Sequence, residues 1–190
     1  MAYIETGVNQ PGIIGLLFYK GSTGKALSNL AQTLLNGPSS LGTDERELIA
    51  SYVSKLNECK FCYGSHSECA SAHYGESVHY ILNDIISAPI SGKLRALLML
   101  AAKVQISGKA VEQHDIDLAK QEGATDEDIH DTVLIAASFC MFNRYVDGLG
   151  TDPGDSNDYP EIGKRLAKKG YKYPPKMFRK WVIKLLNKTS

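Results

Sequence analysis

Apolar residues recur every three to four positions through one segment after another, and the strict alternation of a half-buried strand is nearly absent. In TDERELIASYVSKLN, which opens on Thr43 as the expected N-cap, Leu48, Ile49, Tyr52, Val53 and Leu56 fall on one stripe. The longer GKLRALLMLAAKVQIS and TDEDIHDTVLIAASFCMFNRYVDGLG repeat the pattern. Stops are equally legible: Gly37 with Pro38 closes STGKALSNLAQTLLNG, and Gly75 closes a helix expected from Glu58 to Tyr74 with Asn57 as its cap. Shorter helices are expected over GIIGLLFYK, from Glu76 to Asn83, over EQHDIDLAKQEG, from Glu161 to Lys169, and over PKMFRKWVIKLLNK. Amphipathic helices joined by short loops bury their stripes against one another, so the expected fold class is all-α.

The 190 residues support one globular core. The segment GTDPGDSNDYP reads as a linker, dividing an all-α domain over residues 1–152 from a helical extension over 153–190. Charge divides similarly: the formal total is zero, but residues 159–190 hold ten Lys and Arg against Glu161 alone, a tail of +9 facing a body of −9. Docking of this basic extension on the body or on a neighbouring subunit, through the Trp181 face of its last helix, is the expectation; neither nucleic acid nor a membrane surface is. No apolar run reaches the roughly 20 residues of a membrane span, and no secretory signal is read at the N-terminus, so the expected compartment is the cytoplasm. TDERELIASYV and TDEDIHDTVLI begin 82 residues apart, a possible trace of an internally duplicated helical unit.

The chemistry concentrates in ECKFCYGSH, residues 58–66. Three readings are open: a redox dithiol, half of a metal site, or two buried thiols. Near a helix start, Cys59 and Cys62 lie one turn apart, roughly 5–6 Å, within reach of a disulfide. His66 follows on the same face. A thiol at a helix N-terminus meets unpaired N–H groups that stabilise a thiolate, which favours Cys59 as the more acidic of the two. His66 can move protons, and Glu47, in the preceding helix, is the candidate to orient it.

Together, ERELIASYVSKLNECKFCYGSH resembles the signature of the alkylhydroperoxidase D-like (AhpD-like) peroxidase-related proteins of the carboxymuconolactone decarboxylase superfamily. Their pattern is a Glu twelve residues before Cys-x-x-Cys-x-x-x-His, matched here by Glu47, Cys59, Cys62 and His66. GPSSLGTDERELIA and FNRYVDGLG are also similar, so the resemblance covers roughly residues 10–152 and leaves the basic tail outside. It implies an AhpD-like helical array, a homo-oligomer, and a cofactor-independent thiol peroxidase. Cys59 and Cys62 would cycle between dithiol and disulfide, Glu47 and His66 would relay protons, and an external dithiol or dithiol-carrying protein would be the reductant. Phe61 stands where members often carry histidine. A non-catalytic, redox-responsive helical oligomer or binding protein is the alternative.

Metal binding is the weaker reading of the cysteines. Cys59, Cys62, His66, Cys69 and His73 form a single helical stripe, and one straight helix cannot wrap four ligands around a tetrahedral ion. Cys69, His73 and Cys140 read as core or interface residues, and His79, His114 and His130 as surface or satisfied histidines. GSTGKA lacks the spacing and the preceding strand of a phosphate loop.

Overall fold

The computed structural model describes residues 2–74 and 78–188, and within them every regular element is helical. The order is α1 (Ile13–Tyr19), α2 (Gly21–Asn36), α3 (Thr43–Leu56), α4 (Lys60–Tyr74), α5 (Val78–Asn83), α6 (Gly92–Ile106), α7 (Gln113–Gln121), α8 (Asp126–Gly148), α9 (Tyr159–Lys169) and α10 (Arg179–Leu186). Short 3-10 turns precede α7, α9 and α10. The expected stop at Gly75 and the start at Glu76 lie outside the described residues.

The core forms where the apolar stripes of α3, α6 and α8 meet. Leu48, Ile49 and Val53 of α3, Leu97 and Ala101 of α6, and Ile135 of α8 have no exposed surface. Burying each large aliphatic side chain contributes roughly 1.5–3 kcal/mol relative to leaving it in water. One face of α3 thus belongs to the core, while its neighbour α4, packed alongside, carries the cysteine motif.

Two sequence expectations change at helix ends. The α3 cap is Gly42 and not Thr43: the Gly42 carbonyl accepts from the Arg46 N–H, and Glu45 Oε2 accepts from the Gly42 N–H at 3.0 Å. At the echoed triplet, Thr125 itself caps α8, its Oγ1 accepting from Asp128 N–H at 3.1 Å while Asp128 Oδ2 accepts from Thr125 N–H at 2.9 Å. The two TDE triplets therefore sit one residue out of step on their helices. The second change is at Asn57, which ends α3 and does not open α4. Glu58 adopts φ 58°, its N–H reaching Lys55 O at 2.9 Å, and the Cys59 N–H reaches Ser54 O at 3.0 Å. These two bonds are a Schellman stop, and the residue after the left-handed one is the N-cap of α4. The Cys59 carbonyl accepts the Tyr63 N–H at 2.9 Å, so a single residue closes one helix and starts the next.

α9 packs along α4 at close range. The Tyr159 ring occupies the space that a Cβ on Gly64 would fill, and a Cβ on Gly163 would collide with Glu68 and lie 2.7 Å from Cys69 N. The absent side chain at Gly64 admits the Tyr159 ring, and the one at Gly163 lets the helices meet almost backbone to backbone. Beyond α9, the Tyr173 hydroxyl donates to Leu17 O at 3.2 Å and Arg179 donates to Phe18 O at 2.6 Å, pinning the tail to the end of α1. No ion pair joins the tail's cations to the body among the described residues. Carbonyls and packing hold the extension where charge was expected to. Trp181 points outward with 64 % of its surface exposed, and Val182 and Leu186 are the residues of α10 that face inward, toward the cavity described below.

Candidate active site

Cys59 is the N-cap of α4 and Cys62 its third residue, with His66 one turn further along. Both thiols are free and buried, 1 % and 3 % exposed. They share a small apolar cluster with Phe61 and Val146, flanked by Ile13, Ile14, Tyr159 and Ile162. The Cys62 thiol is pushed well above the ordinary cysteine range, first by its hydrogen bond to Cys59, then by burial and the proximity of Cys59's charge; a hydrogen bond from Asn143 opposes this. Asn143 is itself fixed, accepting from Asn57 Nδ2 at 2.9 Å and donating to Ser54 Oγ at 3.2 Å. The displaced cap residue Asn57 thus helps set the polar wall behind the thiols.

Glu47 reaches across from α3. Its Oε2 lies 2.7 Å from His66 Nδ1, and its Oε1 accepts the Tyr171 hydroxyl at 2.6 Å. With both carboxylate oxygens acting as acceptors, the proton between Glu47 and the imidazole sits on Nδ1, and Nε2 is left with a free lone pair. Tyr171 also stacks on the His66 ring, 5.7 Å between centroids at 12°, while Phe139 meets the same ring edge-on at 4.7 Å. Burial and the Glu47 charge push the Tyr171 hydroxyl well up, and Cys69, next to the same carboxylate, is pushed up for the same two reasons. Both therefore stay protonated around Glu47.

A cavity of about 550 Å³ opens on this centre. Cys62, His66 and Phe61 line it; Cys59 does not. Its opposite walls come from α1, α2 and, beyond α8, from α9, the loop after it and α10. Phe61, edge-on to Tyr159 at 6.2 Å, makes the surface beside the thiols apolar where a histidine would have made it polar.

The structure thus brings Glu47 and His66 into contact and sets Cys59 beside Cys62. Cys69 and Cys140 are buried, whereas His73, His79, His114 and His130 are exposed. His79 is held by Tyr63 and Glu68. Among the described residues, the metal-like cluster is Glu112, His114 and Asp115, away from the thiols, where Asp115 already pairs with Lys103 at 2.7 Å. Tyr171 and Asn143 escaped the sequence reading. Tyr171 meets a residue 124 positions away, with no spacing rule to connect them; the local signal was Gly170, which stops α9 at φ 64° and turns the chain back toward Glu47.

No family model and no curated protein matches this chain. Among solved structures it is similar to an uncharacterized peroxidase-related protein from Silicibacter sp. TM1040, at 25 % identity over 79 % of this chain and 78 % of that one, TM-score 0.72. It is equally similar to the alkylhydroperoxidase AhpD core, an uncharacterized peroxidase-related protein from Ralstonia eutropha JMP134, at 25 % identity over 81 % of each chain, TM-score 0.72. The fold is all-α among the described residues, and the peroxidase-related neighbours support a general peroxidase-like role. The chain is AhpD-like.

Proposed function

We propose that this chain is a cofactor-independent thiol peroxidase that reduces hydroperoxides through a Cys59–Cys62 disulfide, with Glu47 and His66 as its proton relay. The observation that carries this reading is the buried 2.7 Å contact between Glu47 and His66 beside a cavity onto which Cys62 opens. Of the two thiols only Cys62 lines the cavity, and access therefore favours it as the attacking one over Cys59 at the helix start. Its raised pKa means that a base must take its proton, and His66, with Nδ1–H held by Glu47, offers Nε2 for that.

The thiolate attacks the terminal peroxide oxygen and the O–O bond breaks. The departing alkoxide takes a proton back from His66 and leaves as the alcohol, and Cys62 becomes a sulfenic acid. Cys59 then attacks the Cys62 sulfur, water leaves, and the disulfide closes. An external dithiol reopens it by exchange and is oxidised in turn. A homo-oligomeric assembly and a cytoplasmic setting belong to the same reading. No described helix is long and apolar enough to cross a membrane.

The test is disulfide formation with an organic hydroperoxide, followed by mass spectrometry with sulfenic-acid trapping. Cys59→Ser should accumulate sulfenic acid at Cys62, and Cys62→Ser should stay reduced. Glu47→Gln and His66→Gln should each slow oxidation by about 10²–10⁴-fold, the usual yield of general acid–base catalysis. Oxidation no faster than that of a free thiol would return the chain to the redox-responsive binding-protein alternative.

A further inference from the structure

The cavity is far larger than a peroxide group needs, and its two ends differ in chemistry. About 550 Å³ falls in the range of a small-molecule site, roughly 300–1,000 Å³. Leu17, Leu27, Phe139, Phe142 and Ile162 make its walls apolar. Arg165, Lys169 and Lys172 also line it, all three exposed, and no carboxylate does. None of the three forms an ion pair among the described residues. Cys62 and His66, by contrast, are buried at 3 % and 8 % exposure. An occupant matching this layout carries an anion at the solvent side, a long apolar body, and its reactive group along the body at depth.

We propose that the substrate is a long-chain fatty-acid hydroperoxide, its carboxylate held at the rim by Arg165, Lys169 and Lys172 and its hydroperoxide presented to Cys62. The assignment rests on the peroxidase reading for its chemistry: the –OOH is reduced to –OH, the thiol pair is oxidised to the disulfide, water leaves, and an external dithiol restores the pair. It also gives the basic extension a role, since all three cations belong to α9 or the loop after it. The body of the protein supplies the thiols and the extension supplies selectivity.

The test compares disulfide formation with linoleic acid hydroperoxide, with its methyl ester, and with tert-butyl hydroperoxide. At low ionic strength the acid should react about five- to tenfold faster than the ester, a preference that shrinks with added salt because exposed charges are screened. In the triple variant Arg165→Gln, Lys169→Gln, Lys172→Gln the acid-to-ester ratio should fall close to one. Equal rates for acid and ester in the unaltered protein, or an unchanged ratio in the variant, overturn the proposal. Silence toward all three peroxides would sink the peroxidase reading instead. Calorimetry with linoleic acid, below its micelle concentration, then decides the site: binding that weakens about five- to tenfold in the variant supports it, and absent binding overturns it.

Discussion

Glu47 is only 2 % exposed, and a carboxylate that deep needs donors on both oxygens. His66 Nδ1 and the Tyr171 hydroxyl fill them, at 2.7 and 2.6 Å. This arrangement fixes the tautomer, and the tautomer decides what His66 can do for Cys62. With the imidazole present, Cys62 need not ionise unaided. In His66→Gln it must, and its pKa lies well above the ordinary cysteine range. Below its pKa a thiol's ionised fraction rises about tenfold per pH unit. Oxidation of that variant should therefore climb about tenfold per unit between roughly pH 7 and pH 9 with no plateau. A plateau within that window, read from a pH series of oxidation rates, would mean that neither Cys59 nor burial holds the Cys62 proton. Three of the four motif residues were legible because helical spacing puts Cys59, Cys62 and His66 on one face, and Glu47 was legible as an acid in the preceding helix and through the resemblance. Tyr171 was not, because its partner is set by where a distant loop comes to rest.

At the scale of elements, the junction between α3 and α4 places the thiols. A Schellman stop reverses the chain within two residues, so Cys59 reaches the start of α4 while its N–H is still bonded to Ser54 of α3. The sequence reading expected an ordinary helix start at Glu58 with Asn57 as cap, since Asn is a strong capping residue and no glycine marks a stop there. The left-handed position falls instead on Glu58, a residue type that pays a steric cost at positive φ. Two substitutions separate that cost from the loss of charge. Glu58→Gly and Glu58→Ala both delete the carboxylate, but only glycine relieves the backbone. Glu58→Gly should be the more stable of the two by about 1 kcal/mol, the reverse of their order inside a helix. Urea unfolding midpoints at constant slope measure the difference. Equal midpoints would remove the strain from the account of this junction.

Across the whole molecule, the extension that the charge pattern set apart is a wall of the site. α9 lies against α4 through Gly64 and Gly163, Tyr171 closes over His66, and α10 contributes Val182 and Leu186 to the cavity. Composition revealed the tail's charge and amphipathic helix, but docking depends on two glycines whose meaning appears only when the helices cross. If the extension were an appendage, loosening it would leave the thiols unaffected. In this structure the two are coupled, because the crossing that seats α9 also brings Tyr171 to Glu47. Gly163→Leu drives a side chain into Glu68 and Cys69 N, an overpacking that costs about 1–3 kcal/mol. The variant should lose stability by that amount, be cleaved faster between residues 153 and 174 in limited proteolysis, and oxidise about 10- to 150-fold more slowly with hydroperoxide, the equivalent of the roughly 1.5–3 kcal/mol that a hydrogen bond to a charged group carries. Tyr171→Phe, which keeps the α9 crossing, should reproduce the slower oxidation without the faster cleavage. If Gly163→Leu frees the tail and the thiols oxidise at an unchanged rate, the extension and the site are independent.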